Sequence, residues 1–214
     1  MLEFINVNGT GKDFCLKNIN FTAQTGFITG ITGANGAGKS TLFRYISDKT
    51  KHYDGEIRYC GKNIREDFSA FQNLVGVVSD EKRFFEEFTA NQNTHLLSVF
   101  YKEWSQEIFK EKMNQMGVSM NRPLSKFSRG EYIKFQLAFA AAHHAKLYLL
   151  DEATAGMDPV FRKDFYKFLH ELIATEDVTI LITTHIEEEI QSQLDYIGIL
   201  EKGKMISFDE VEVS

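Results

Sequence analysis

The chain has 214 residues, 43% of them hydrophobic and 25% charged, a composition that suits one large globular domain or one domain with an inserted lobe. A formal charge of −6 argues against a broad basic face for nucleic acid, and two prolines leave no Pro-rich linker to divide the chain. No apolar run approaches the roughly 18–20 residues that span a bilayer.

Cys15 and Cys60 stand apart without a CxxC or metal-ligand spacing, so neither a disulfide framework nor a zinc site is expected. Met1-Leu2-Glu3-Phe4 lacks the basic start and apolar core of a secretory signal. These features predict a reducing cytosol and a membrane role only through a partner.

Short β-type runs alternate with longer helical patterns, which predicts an α/β fold with a mainly parallel sheet. Leu2–Val7 alternates apolar and polar residues and reads as an edge strand. Phe27–Thr32 reads as a buried strand that feeds a Gly-rich loop, with a helix from Gly38-Lys39-Ser40 through Ile46. Further strands are expected at Glu56–Tyr59, Leu74–Val78, Leu147–Leu150, Val178–Thr183 and Tyr196–Leu200.

Between residues 80 and 142 the strand signals vanish, and Thr94–Tyr101 and Gln106–Met116 read as helices of a small inserted lobe. Ile133, Leu137, Ala140 and Ala141 then recur at helical spacing, while adjacent His143 and His144 read as helix-surface or core residues, not a metal pair. Asp158 suits an N-cap and Pro159 a first helical position, ahead of the stripe Phe161, Phe165, Phe168, Leu169 and Leu172. No internal repeat is present, so residues 1–214 are expected to form one domain with the helical lobe inserted.

Gly33-Ala34-Asn35-Gly36-Ala37-Gly38-Lys39-Ser40 matches G-x-x-x-x-G-K-[ST] without a mismatch. Glycines let backbone N–H groups turn inward around phosphate oxygens, and the following helix N-terminus adds partial positive charge. The run from Gly33 to Ser40, with Thr41 next, is therefore the expected phosphate site. Lys39 would reach the β- and γ-phosphates, and Ser40 would ligate Mg²⁺. The apolar strand before Asp151-Glu152 ends in two acids, at the strand tip where α/β sheets bind ligands. Asp151 is expected to hold Mg²⁺ through water and Glu152 to accept a proton from the attacking water.

With these motifs the chain resembles the ABC ATPases over essentially its whole length. Phe127-Ser128-Arg129-Gly130-Glu131 occupies the place of the family's signature, Ala155-Gly156-Met157-Asp158 that of its D-loop, and Thr183-Thr184-His185 that of its switch histidine. The resemblance implies a P-loop core with an antiparallel β edge and an inserted helical subdomain. It also implies ATP and Mg²⁺ held between two head-to-tail subunits, identical or paralogous. In that arrangement Ser128, Gly130 and Glu131 would reach the ATP of the opposite subunit, Asp158 would serve the D-loop, and His185 would hold the γ-phosphate, the water and Glu152 in place. Ser128-x-x-Glu131 is also a capping box, a purely structural alternative.

Three departures stand out. Asp80 occupies the position of the family's Q-loop glutamine, where it could ligate Mg²⁺ or a water. The adenine-stacking aromatic expected near Thr10 is missing; Phe14 is the candidate, with burial as the competing role. Arg129 and Glu131 replace the first glycine and the glutamine of the signature, and Ala153 replaces a proline after the acid pair. Phe68, Phe71, Phe84, Phe85 and Phe88 suit either an exposed patch for a permease or the core of the lobe.

The function expected from the resemblance is ATP-driven dimerisation and hydrolysis that power a separate membrane permease, on the cytoplasmic face of the membrane, without nucleic acid. A soluble ABC-type ATPase acting on ribosomes or DNA is the alternative. A nucleotide kinase would lack the signature, acid pair and histidine together, and a non-hydrolysing subunit would not keep Lys39, Glu152 and His185.

Overall fold

The computed structural model describes residues 1–10 and 15–211. Two sheets carry the fold. In the first, β1 (Leu2–Gly9) lies between β2 (Ile19–Ala23) and β4 (Tyr53–Tyr59), and the two-residue β5 (Lys62–Asn63) closes the order β2-β1-β4-β5, all antiparallel. The second contains β3 (Ile28–Thr32), β6 (Val75–Val78), β7 (Leu147–Asp151), β8 (Thr179–Thr183), β9 (Tyr196–Glu201) and β10 (Lys204–Glu210). Its order is β10-β9-β3-β8-β7-β6, and every pair except β10–β9 is parallel.

The parallel sheet is covered on both faces, as such sheets must be. Along β7, Leu147 and Leu149 point into a core shared with the antiparallel sheet and with Leu42, Phe43 and Ile46 of helix α1 (Lys39–Ser47). Tyr148 and Leu150 point the other way, onto Ile133 and Leu137 of α5 (Arg129–Ala142) and Phe165 and Leu169 of α6 (Pro159–Thr175).

A third core belongs to the helical region. There α4 (Gln106–Gln115) contributes Phe109 and Met113, and α5 contributes Tyr132, Phe135 and Phe139. Thus α5 buries one face against the sheet and the other against the lobe. Short helices α2 (Phe68–Gln72), α3 (Ala90–Leu97) and α7 (Glu187–Ser192) are the remaining α-helices among the described residues.

The α/β class, the mainly parallel sheet and its antiparallel edge agree with the sequence reading, and Asp158 caps α6 by accepting from the Phe161 N–H at 2.9 Å. Two expectations need correction, and two open readings are resolved. Leu2–Val7 is not an edge strand, because β2 and β4 pair with it on both sides. The helix expected over Thr94–Tyr101 begins at Ala90, where Thr89 and Gln92 form a capping box, and gives way to a 3₁₀ turn at Ser98–Phe100. His143 and His144 lie past the end of α5: His143 is its C-cap, buried and stacked on Tyr101 at 4.2 Å, and His144 has φ +55°. The phenylalanines divide, with Phe71 buried and Phe84 packed between Phe135 and Phe139, while Phe85 and Phe88 are exposed.

Candidate active site

The carboxyl ends of β3, β6, β7 and β8 lie side by side in the sheet, where α/β folds place their ligand crevice. From β3 the chain enters the Gly-rich loop. A Cβ on Gly33 would sit 2.2 Å from the Leu200 carbonyl oxygen, so only glycine fits there. The loop is fastened by Ala37 N–H to Ala34 O and by Gly203 N–H to Ala37 O, both 3.0 Å.

Gly38, at φ +115°, turns the chain into α1, whose N-terminus receives no side-chain cap. The N–H groups of that first turn have no intrahelical acceptors and are available to an anion. Lys39 is 6% exposed, and its ammonium donates to the Gly33 carbonyl at 2.7 Å.

The acid pair comes from β7. Its register sets Asp151 opposite Thr183 of β8, and the Thr183 hydroxyl donates to Asp151 Oδ1 at 2.7 Å. Thr183 Oγ1 in turn accepts the Glu152 N–H at 2.9 Å. Glu152 adopts φ +48°, a costly conformation for a residue with a side chain, and its carboxylate lies 3.5 Å from the Lys39 ammonium. A cleft of about 850 Å³ collects Asn35, Gly36, Gly38, Lys39, Ser40 and Thr41 of the loop and helix with Asp80, Asp151 and Glu152.

Ser40 and Asp151 bring hard oxygen donors to one cleft beside the phosphate-binding amides. That donor set suits Mg²⁺, which typically takes one or two protein oxygens and completes its shell with phosphate and water. Among the described residues there is no cluster of three or more His, Cys, Asp or Glu side chains that could hold a metal by itself.

Ser128 caps α5 in a complete capping box: its hydroxyl accepts the Glu131 N–H at 3.2 Å, and Glu131 Oε2 accepts the Ser128 N–H at 2.8 Å. That N–H, together with the Ser128 hydroxyl and the adjacent Arg122 guanidinium, holds the Glu131 carboxyl below the usual carboxylate range. Ser128 is nonetheless exposed, so the structural role leaves it accessible. Arg129 turns back into its own chain, with Nε 2.6 Å from Asp80 Oδ1 and Nη2 donating to the Glu152 carbonyl at 3.0 Å.

His185 is exposed two residues beyond β8, and neither it nor Ser128 lines the cleft. The loop before it is anchored by buried Glu189, which accepts from Thr184 Oγ1 at 2.6 Å and from Thr154 Oγ1 at 3.0 Å. Phe14 lies outside the described residues.

Arg44 was not anticipated. It lines the cleft and pairs with Glu81 at 3.3 Å. Its place one helical turn after Ser40 is the signal that could have found it. The roles of Thr183 and Glu189 as holders of the acid pair and of the His185 loop had no local signal.

The family model described as ABC transporter matches residues 16–155. The bacitracin transport ATP-binding protein BcrA of Bacillus licheniformis is 28% identical over 207 residues, covering 94% of this chain and 68% of that protein. The linearmycin resistance ATP-binding protein LnrL of Bacillus subtilis is 30% identical over 213 residues, covering 97% of this chain and 68% of that protein. The chain thus spans about two thirds of the length of these relatives. A dimeric ATP-binding cassette in a post-hydrolysis state, bound to ADP and Pi, superposes with a TM-score of 0.85 at 20% identity over 99% of both chains. The chain belongs to the ABC transporter family and is one of its ATP-binding, ATP-hydrolysing subunits.

Proposed function

We propose that two such subunits, identical or paralogous, close head to tail on ATP and hydrolyse it to drive a separate membrane permease from the cytoplasmic face. The observation that carries this reading is the convergence of Lys39 and Glu152 in the cleft beneath the open N-terminus of α1. The amides of the Gly33–Ser40 loop and the Lys39 ammonium bind the phosphates. Ser40 and Asp151 would hold Mg²⁺, which when bound would neutralise charge on the phosphate oxygens.

Water attacks the γ-phosphorus in line, Glu152 takes its proton, and the bond to the β-phosphate oxygen breaks to leave ADP and phosphate. Lys39 and the loop amides stabilise the charge that develops on the leaving and equatorial oxygens. His185 positions the γ-phosphate and water. Ser128 and Gly130, exposed or part-exposed at the start of α5, meet the opposite subunit's nucleotide, with Glu131 and Asp158 shaping that surface.

The transport role is supported by the relatives' names and by an apolar surface on the helical region. A groove of about 450 Å³ is lined by Phe84, Leu97, Phe100 and Tyr101 together with polar Gln72, Asn73, Arg83 and Gln136. Leu96, Val99 and Phe100, like Phe85 and Phe88, are exposed large hydrophobics of the same segments. A short amphipathic helix of a permease suits such a groove. No helix among the described residues is long and apolar enough to cross a membrane.

Detergent extracts of cells expressing tagged chain should yield a polytopic membrane protein. Asp substitution at Phe85 and Phe88 should reduce that recovery and leave ATP binding intact. ATP-dependent, salt-resistant recovery of ribosomes or DNA in its place would favour the soluble alternative.

A further inference from the structure

Two departures from the family pattern, Asp80 and Arg129, meet each other. Asp80 follows β6 and Arg129 opens α5, yet Arg129 Nε lies 2.6 Å from Asp80 Oδ1. The other limb of the guanidinium donates at 3.0 Å to the main-chain oxygen of Glu152. A Cβ on Gly156 would sit 3.5 Å from Arg129 Nη1, so the guanidinium also lies against the loop that follows Glu152.

Glu152 needs such support. Its φ of +48° is unfavourable for any residue but glycine and persists only where the surroundings fix it. Thr183 takes its N–H at 2.9 Å and Arg129 gives to its carbonyl, so both polar ends of the residue are gripped by side chains from other elements.

Asp80 is 61% exposed and Arg129 34%, and ion pairs so exposed contribute little to stability. The pair therefore matters for geometry. A guanidinium presents its donors in a fixed planar fork and so holds the carboxylate and the carbonyl in a set relative geometry; a lysine ammonium on the same stem has no such fork.

We infer that Arg129 is a positioning residue for Glu152, with Asp80 as its anchor. The inference rests on Glu152 being the acceptor of the water's proton. Arg129 acts through the backbone of its own chain's acid, and Asp80 is occupied as an anchor and not as a metal ligand. Loss of Arg129 lets the Glu152 backbone relax and moves the carboxylate off the line of attack, while the phosphate-binding loop is unchanged.

The test is steady-state ATP hydrolysis by the full chain with its proper mate. R129A should lower kcat by about 10–10²-fold, the cost of a misplaced catalytic group, with KM for ATP changed less than about twofold. R129K, keeping one contact of the two, should fall between R129A and wild type. D80A should lose part of the rate, and R129A with D80A should be no slower than R129A alone, since linked residues are not additive. In an E152Q background, R129A should leave ATP-dependent pairing of subunits as strong as in E152Q alone.

A normal kcat in R129A beside an active wild type overturns the inference and leaves the ATPase reading standing. So does a large rise in KM or loss of the E152Q pair, either of which places Arg129 on the opposite subunit's nucleotide. A wild type that does not hydrolyse Mg-ATP overturns the reading and the inference together. Should R129A fold poorly, R129K and D80A decide the matter: full rates in both overturn it.

Discussion

The ammonium of Lys39 lies 3.5 Å from the carboxylate of Glu152, joining the first residue of α1 to the residue that follows β7. In the proposed mechanism Lys39 serves the phosphates and Glu152 the water, so the terminal phosphate of a bound triphosphate would sit where their reaches overlap. On that mechanism a γ-phosphate between them would take over the lysine's charge and release the carboxylate to face the water.

Lys39→Ala should cost about 1.5–3 kcal/mol of binding, or roughly 10- to 150-fold in ATP affinity, by removing a charged hydrogen bond. It also leaves the Gly33 carbonyl without its donor. In the wild type, Mg-ATP at about 100 times its dissociation constant should add roughly 2.7 kcal/mol of stability and raise the melting temperature by roughly 5–10 °C. Calorimetric titration and thermal melts of both proteins check this; near-normal affinity in the variant contradicts the assignment of the loop.

Thr183→Val keeps the shape of the side chain and removes the hydroxyl that bridges Asp151 Oδ1 and the Glu152 N–H. Leaving those groups without a partner should cost about 1–3 kcal/mol of stability in urea denaturation. Hydrolysis should fall and need more Mg²⁺ for half-maximal rate, because Asp151 loses the contact that orients it. Unchanged stability and an unchanged Mg²⁺ titration would remove Thr183 from the account.

Burial at the end of α5 depresses the pKa of His143 from 6.5 to about 4. The fold therefore keeps the ring neutral, and below about pH 6.5 the unfolded chain takes up a proton that the native one refuses. Its contribution is complete above that pH and is lost as pH falls toward 4, about 2 kcal/mol by pH 5. Urea denaturation at pH 7.5 and pH 5 should show a larger acid loss in the wild type than in His143→Phe; equal losses contradict it.

What could be read before folding was what is written locally. Eight consecutive residues declare the phosphate loop, and the apolar run into Asp151-Glu152 declares a strand tip. The strand β10 escaped notice because Lys204–Glu210 is polar and largely exposed, and β5 because two residues carry no period. The alternation of Leu2–Val7 could not distinguish an edge from an interior strand, because its partners β2 and β4 lie elsewhere in the chain. Ser128-x-x-Glu131 was legible as a cap. That Arg129 beside it would reach Asp80 and Glu152 was not, since the three converge only once β6, β7 and α5 have packed together.

The most direct test of the central claim is the association state of Glu152→Gln with ATP, by light scattering, with the proper mate present if the pair is mixed. The amide keeps the size of the side chain but is a poor proton acceptor, so hydrolysis should fall by roughly 10²–10⁴-fold while Lys39, Ser40 and the loop still bind ATP. Trapped ATP should then hold two subunits together, ADP should not, and Ser128→Arg should abolish the pair. A Glu152→Gln protein that binds ATP beside its mate yet never pairs would contradict the shared-site mechanism.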